Sequence, residues 1–189
     1  MILADFFARW RVRLGYLLAV VVLLQAHPTP LSILAGALVG LVGLVVRAYA
    51  AGYLHKQKVL TMTGPYAYTR NPLYFGSSIL TLGAGIAMNS WISGALLLVY
   101  FALVYSFVMR REEGELRGKH GADLDAYAAA VPLFFPRLTP KKMAGVKEGN
   151  FSWAQYKKNH EYEAIAGFCV LLVALLAIWW LRASHLIHI

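Results

Sequence analysis

This chain is poor in cysteine, in acid and in charge of either sign. Its single cysteine, Cys169, excludes an intrachain disulfide and any metal site built on several thiolates. It lies in an apolar run, so it is expected to be a small buried side chain. Only 14% of the 189 residues are charged, and only nine are Asp or Glu. A soluble domain carries about 25% charged residues, so the composition argues against one. The scarcity of acid leaves a formal net charge of +9. In a chain this apolar the excess base does not call for nucleic acid. Basic residues of membrane proteins gather in cytoplasmic loops and against anionic lipid. Internal repeats and low-complexity tracts are also missing.

What is present is apolar length. Hydrophobic residues make up 59% of the chain, with a mean hydropathy of +0.57. They cluster into five runs, near residues 8–26, 31–52, 72–88, 91–109 and 162–182. The expected fold is therefore all-α and integral to a membrane, one domain of five spans. Its one sizeable polar segment, residues 110–161, lies between the fourth and fifth spans. The first run has the basic head of a signal peptide. Phe6, Phe7 and Trp10 lengthen it, which favours a retained helix. The second carries Gly36, Gly40 and Gly43, a small-residue strip for close helix packing. Asn89-Ser90 joins the third and fourth so briefly that they must lie antiparallel and side by side. With the N-terminus in the cytoplasm and five spans, every Lys and Arg except Arg182 falls on or beside the cytoplasmic side. That predicts a multi-pass inner-membrane protein with its C-terminus outside. In residues 141–161, lysines alternate with Phe151, Trp153 and Tyr156, as in a stretch lying on a membrane surface.

The least regular stretch is Gly64 to Gly76. It holds Gly64-Pro65, three tyrosines, Arg70 and Asn71-Pro72. Pro72 suits the first position of a helix and Asn71 its cap. That helix start, beside Arg70, suits an anionic group; a plain interfacial loop is the alternative. Glu112-Glu113 closes the fourth span. The hairpin returns it to the same edge as the Gly64–Gly76 stretch. Adjacent helical residues point about 100° apart, so one carboxylate is expected to face the bundle and one water. An inward carboxylate needs a cation. Arg70, Arg110, Arg111 or a ligand ammonium are the candidates. Acid at a helix C-terminus opposes the macrodipole, which hints at a specific use.

Together these motifs resemble a known family. Gly-Pro-Tyr, then Arg70-Asn71-Pro72-x-Tyr74-x-Gly76, Glu112-Glu113-x-x-Leu116, Gly121, Tyr127 and Val131-Pro132 look like the isoprenylcysteine carboxyl methyltransferases. The related phospholipid N-methyltransferases are similar too. The resemblance covers roughly residues 55–137. It implies a membrane methyltransferase that uses S-adenosylmethionine, with the pocket at the cytoplasmic ends of the spans. A Rossmann domain is not implied, and the chain has no pattern for one. Carried across, Gln57, Lys58, Val59, Leu60, Tyr66, Asn71, Pro72, Leu73 and Tyr74 line the cofactor, and Glu112 holds its ammonium. Gly83 and Gly85 look like a cofactor-linked Gly-x-Gly, although their depth in the third span favours helix packing.

Two positions depart from the family. Asn71 stands where a histidine is usual, so a general base there is excluded while a binding role survives. Val108 stands where the prenylcysteine enzymes place an arginine for the substrate carboxylate. Arg110 or Arg111 would have to substitute, with Arg70 and Glu113 as further substrate-side candidates. His55 and His120 read as solvated, so no base is evident. That favours an O-methyl acceptor or a lipid amine deprotonated by solvent. The expected partners are a lipophilic acceptor and membrane lipid, without nucleic acid, metal or an obligate protein partner. The alternative function is a non-catalytic lipid-binding or scaffold protein of the same fold. A transporter is poorly supported, since no span carries a mid-membrane charge.

Overall fold

The computed structural model of the chain describes residues 2–55 and 59–184. Every element among them is helical: α1 Ile2–Leu24, α2 Pro30–Tyr53, α3 Pro72–Met88, α4 Trp91–Ala130, α5 Trp153–Lys158 and α6 Tyr162–Ala183, with a 3-10 turn at Gly64–Ala67. By length and composition α2, α4 and α6 can cross a membrane, and 13–24 and 72–88 are shorter apolar helices.

Local chemistry explains the starts. Thr29 and Ser32 form a reciprocal capping box ahead of α2, with Pro30 at its first turn. Pro72 opens α3, as its sequence context predicts. Asn71 sits at the cap position, but its side chain makes no capping bond. Ser90 caps α4, and Asn89 turns the hairpin with φ 50°.

The seam between α2 and α3 is nearly backbone on backbone. A Cβ built on Gly36 would stand 2.4 Å from the Gly83 carbonyl oxygen, and one on Gly43 2.6 Å from the Leu80 nitrogen. Gly83 and Gly76 face the strip in return, so these glycines pack helices, as in small-residue membrane interfaces. Cys169 is exposed, contrary to expectation. On α6 only Phe168 and Leu175 are buried, and Cys169 lies about 100° round from Phe168.

α4 is the main difference from the sequence reading. It does not stop near residue 109. It continues to Ala130, broken only at Gly121, where φ 45° and ψ −118° suit glycine. Glu112 and Glu113 therefore lie inside a helix, and the macrodipole argument for them falls away. Beyond the break, Leu124, Tyr127 and Val131 pack with Leu60, Met62, Leu116 and Met143 into a second small core.

At the opposite end the bundle is stitched shut. The His27 amide donates to the Met88 carbonyl at 2.9 Å, and Asn89 Nδ2 to the His27 carbonyl at 3.0 Å. Ser32 Oγ reaches the Ala87 carbonyl at 3.2 Å and Ser93 Oγ the Val22 carbonyl at 3.1 Å. Val22, Ala26, Ile33, Ala87, Met88 and Leu175 form the main core beside these bonds.

Candidate functional site

The hairpin of α3 and α4 brings Tyr74 and Glu112 together. The Tyr74 hydroxyl donates to Glu112 Oε1 at 2.7 Å, a charge-assisted bond between half-buried groups. One residue on, Glu113 Oε1 lies 2.8 Å from Arg70 Nη1 and 3.3 Å from Arg117 Nη2. Both carboxylates thus face neighbouring groups, one on α3 and one on the loop before it. Arg70 Nη1 meets Glu113 as an ion pair but out of line for a hydrogen bond. Among the described residues neither Nη1 nor Nε of Arg70 has a hydrogen-bond partner. Tyr66 is buried, and its hydroxyl has none among those residues either. Burial, then Tyr127, Glu161 and Glu112 nearby, push the Tyr66 phenol well above its usual range.

The loop that holds these groups is pinned from the far side of Gly121. Tyr127 donates its hydroxyl to the Tyr66 carbonyl at 2.6 Å. The Arg70 amide bonds the Pro132 carbonyl, the Arg137 amide that of Tyr68 and the Lys141 amide that of Ala67, each at 2.9 Å. Thr69 Oγ1 reaches the Phe134 carbonyl at 2.8 Å, and Asn71 Nδ2 the Leu133 carbonyl at 3.0 Å. Asn71 is thereby a strap between loop and segment, a role that needs a donor but no titration. Burial raises the Tyr127 phenol, and the nearby Arg70 guanidinium partly opposes this.

The other sequence candidates divide. Pro72 is buried and Leu73 half-buried at the start of α3, beside Tyr74. Leu60 packs in the second core, while Val59 is exposed. Gln57 and Lys58 lie outside the described residues. Arg110 is exposed, Arg111 pairs with Glu115 at 3.0 Å, and Val108 is buried. Of the candidates Arg70, Arg110 and Arg111, Arg70 is thus the one brought to the carboxylates, and Arg117 joins it at Glu113.

A buried ion pair escaped the sequence reading. Arg47 of α2 donates through Nε to Glu161 Oε1, at the start of α6, and through Nη1 to Ser77 Oγ of α3. The Glu161 side chain is 7% exposed and that of Arg47 22%. The signal was a lone arginine inside an apolar run, which in membrane helices marks a partnered, inward-facing charge.

Cavities of about 320, 570 and 360 Å³ between the described helices are not lined by Tyr74 or Glu112. The amino-acid head of S-adenosylmethionine nevertheless fits the donor set. Glu112 suits an ammonium, the Arg70 nitrogens suit a carboxylate, and the buried Tyr66 hydroxyl lacks a partner. This fit lies in the same stretch of chain as a family match. Residues 36–122 match the phospholipid methyltransferase family. This agrees with the motif resemblance and covers α3, most of α2 and the apolar part of α4.

Among curated proteins, the nickel-cobalt-cadmium resistance protein NccN of Alcaligenes xylosoxydans xylosoxydans is 36% identical over 107 residues, 53% of this chain and 50% of that protein. The cobalt-zinc-cadmium resistance protein CzcN of Cupriavidus metallidurans is 34% identical over 139 residues, 69% of this chain and 63% of that protein. The matches thus span about half to three-fifths of these relatives' own lengths. Among the described residues no group of three or more His, Cys, Asp or Glu could hold a metal ion. No solved structure matches the chain. What stands is an integral membrane, helical protein whose residues 36–122 match the phospholipid methyltransferase family.

Proposed function

We propose that this protein transfers a methyl group from S-adenosylmethionine to a lipophilic acceptor, at the membrane edge where Tyr74 meets Glu112. The 2.7 Å bond between those side chains carries the reading. It joins two motifs 38 residues apart at one end of one hairpin. Five spans, with this end in the cytoplasm, give the arrangement that keeps the basic residues on one side.

When bound, S-adenosylmethionine supplies a methyl whose bond to the sulfonium sulfur breaks as the acceptor's oxygen or nitrogen bonds to the carbon. The electron pair returns to sulfur. The protein's own groups bind and orient. Glu112, held by Tyr74, presents a carboxylate to the ammonium. Arg70, held by Glu113, presents nitrogens to the carboxylate. Tyr66 adds a neutral donor in a dry setting, where such contacts count for more than in water. Positioning of the acceptor in line is then the main catalytic work. No general base stands among these residues, which favours an O-methyl acceptor over an amine.

A second reading is a lipid-binding protein without catalysis. The apolar cavities that neither Tyr74 nor Glu112 lines favour it. Calorimetry with S-adenosylhomocysteine in detergent separates the two. Binding that weakens about tenfold or more in Glu112→Gln, the loss of one hydrogen bond to a charged group, supports methyl transfer. No heat at millimolar ligand sinks it.

A further inference from the structure

At the stitched end, three helix ends meet round a cavity of about 360 Å³. Gln25 and His27 line it after α1, Asn89 and Ser90 from the hairpin turn, Trp91 from the start of α4 and Arg182 from the end of α6. Several of these polar groups are already used. The Asn89 side chain donates to the His27 carbonyl at 3.0 Å, and Ser90 Oγ accepts from the Ser93 amide at 3.3 Å. His27 Nδ1 lies 2.9 Å from the Gln25 carbonyl, so it carries the hydrogen and Nε2 is the ring's remaining polar atom. Arg182 differs. Its Nε is buried and has no hydrogen-bond partner among the described residues.

No Asp or Glu of this chain is placed to neutralise Arg182. Asp5 stands near the start of α1, Glu161 and Glu163 at the start of α6, and the other six of the nine acids fall between residues 112 and 148. All of these belong to the opposite end of the bundle. Even Glu163, on the same helix, is about 28 Å from Arg182 by helical rise. A half-buried guanidinium without a counter-charge is costly at a membrane edge. On the same side the start of α4 adds the free amides and positive pole of a long helix. The group that satisfies this set is an anion from outside the chain.

Position decides which anion. Trp91 and Glu112 are about 32 Å apart along α4 by helical rise, close to the roughly 30 Å of a bilayer's hydrocarbon. The cavity therefore sits at the membrane interface opposite Glu112. Trp91 and Leu24 line it and are 83% and 62% exposed, as aromatic and apolar side chains are where a protein meets lipid. We propose that this cavity binds the phosphate of an anionic phospholipid, with Arg182 as its main contact and the acyl chains lying on Leu24 and Trp91. The proposal goes beyond methyl transfer and does not depend on it. A zwitterionic headgroup would bring an ammonium beside Arg182 with no carboxylate to receive it, and like charges set together are penalised. Bound there, the phosphate ties the end of α6 to the α3–α4 hairpin and to the turn after α1. That tie matters because α6 buries only Phe168 and Leu175.

The test titrates the full protein in neutral detergent with phosphatidylglycerol, counts bound lipid by native mass spectrometry and follows Tm. Basic residues at the other end also attract this lipid, so the site is read as a difference between variants. Arg182→Gln should weaken one bound lipid about tenfold or more, the loss of a hydrogen bond to a charged group, and should shrink the gain in Tm. Lys119→Gln removes an exposed cation at the far end and should change neither. Gln25→Glu places a carboxylate in the cavity. It should lose the same lipid while its Tm without lipid holds or rises, which keeps the test readable if Arg182→Gln fails to fold. Phosphatidylcholine should not fill the site, and millimolar inorganic phosphate or glycerol phosphate should not displace the lipid. Equal retention of phosphatidylglycerol by wild type, Arg182→Gln and Gln25→Glu would overturn the proposal. Equal filling by phosphatidylcholine would overturn the choice of an anionic lipid. Displacement by inorganic phosphate or glycerol phosphate would make this a site for free anions and overturn the lipid assignment.

Discussion

Gly83→Ala separates two roles that the sequence left together. A Cβ at Gly83 would stand 2.6 Å from the Gly40 nitrogen, 2.7 Å from the Gly36 oxygen and 2.8 Å from the Gly40 Cα. All three atoms are backbone of α2, so none can rotate aside. Ordinary carbon contacts need about 3.5 Å or more, and the helices must part by nearly an ångström. Overpacking of this kind costs about 1–3 kcal/mol, and three rigid contacts place it in the upper half of that range. Alanine returns about 0.5–1 kcal/mol through helix propensity. The net loss is about 1–2 kcal/mol, or about 2–8 °C in Tm for a chain of this size. Gly118→Ala is the control, because nothing lies within 4 Å of its Cβ; its Tm should hold or rise. Thermal unfolding followed by tryptophan fluorescence, with calorimetric binding of S-adenosylhomocysteine well below the transition, reads both properties. Tm should fall in Gly83→Ala while Kd stays within twofold. An unchanged Tm with a weakened Kd would refute the packing role and return Gly83 to the cofactor.

Two further outcomes follow from the buried polar groups. Glu161→Gln leaves Arg47 without its counter-charge and should destabilise by about 2–3 kcal/mol, below the full cost for a wholly buried pair. Arg47→Met combined with Glu161→Leu should recover most of that, and denaturation in detergent checks both. Burial raises the Tyr66 phenol above the ordinary tyrosine range in the folded protein. Stability from its neutral phenol is complete below the unfolded pKa and is lost as pH rises past it. Tyr66→Phe should therefore shrink the drop in Tm between about pH 8 and pH 11. An unchanged drop would mean that the phenol is not buried.

Much of the bundle was legible because membrane helices announce themselves by apolar length. Pro72, Asn89-Ser90 and the glycine strip mark a start, a reversal and a seam by strong local chemistry. The end of α4 was not legible. The change to polar residues at Arg110 marks where the apolar surface stops, and a helix of Glu, Arg and Lys continues past it with good propensity. The docking of residues 131–141 on residues 66–71 was hidden for another reason. Half of its bonds are backbone to backbone and the rest end on backbone carbonyls, and carbonyl acceptors leave no signature in side-chain type. Tyr74 and Glu112 came together through motif and hairpin. Arg47 and Glu161 did not, because 114 residues separate them and each alone looks like a span-end charge.

The stitched end carries a mechanical consequence. Four cross-links through His27, Ser32, Asn89 and Ser93 tie α1 to α4 and α2 to α3 at that rim. The opposite rim is tied in another way, by residues 131–141 strapped across residues 66–71. Parting the helices beside Arg70 therefore means lifting that strap, whereas parting them at the stitched end means breaking bonds between the helices and their turns themselves.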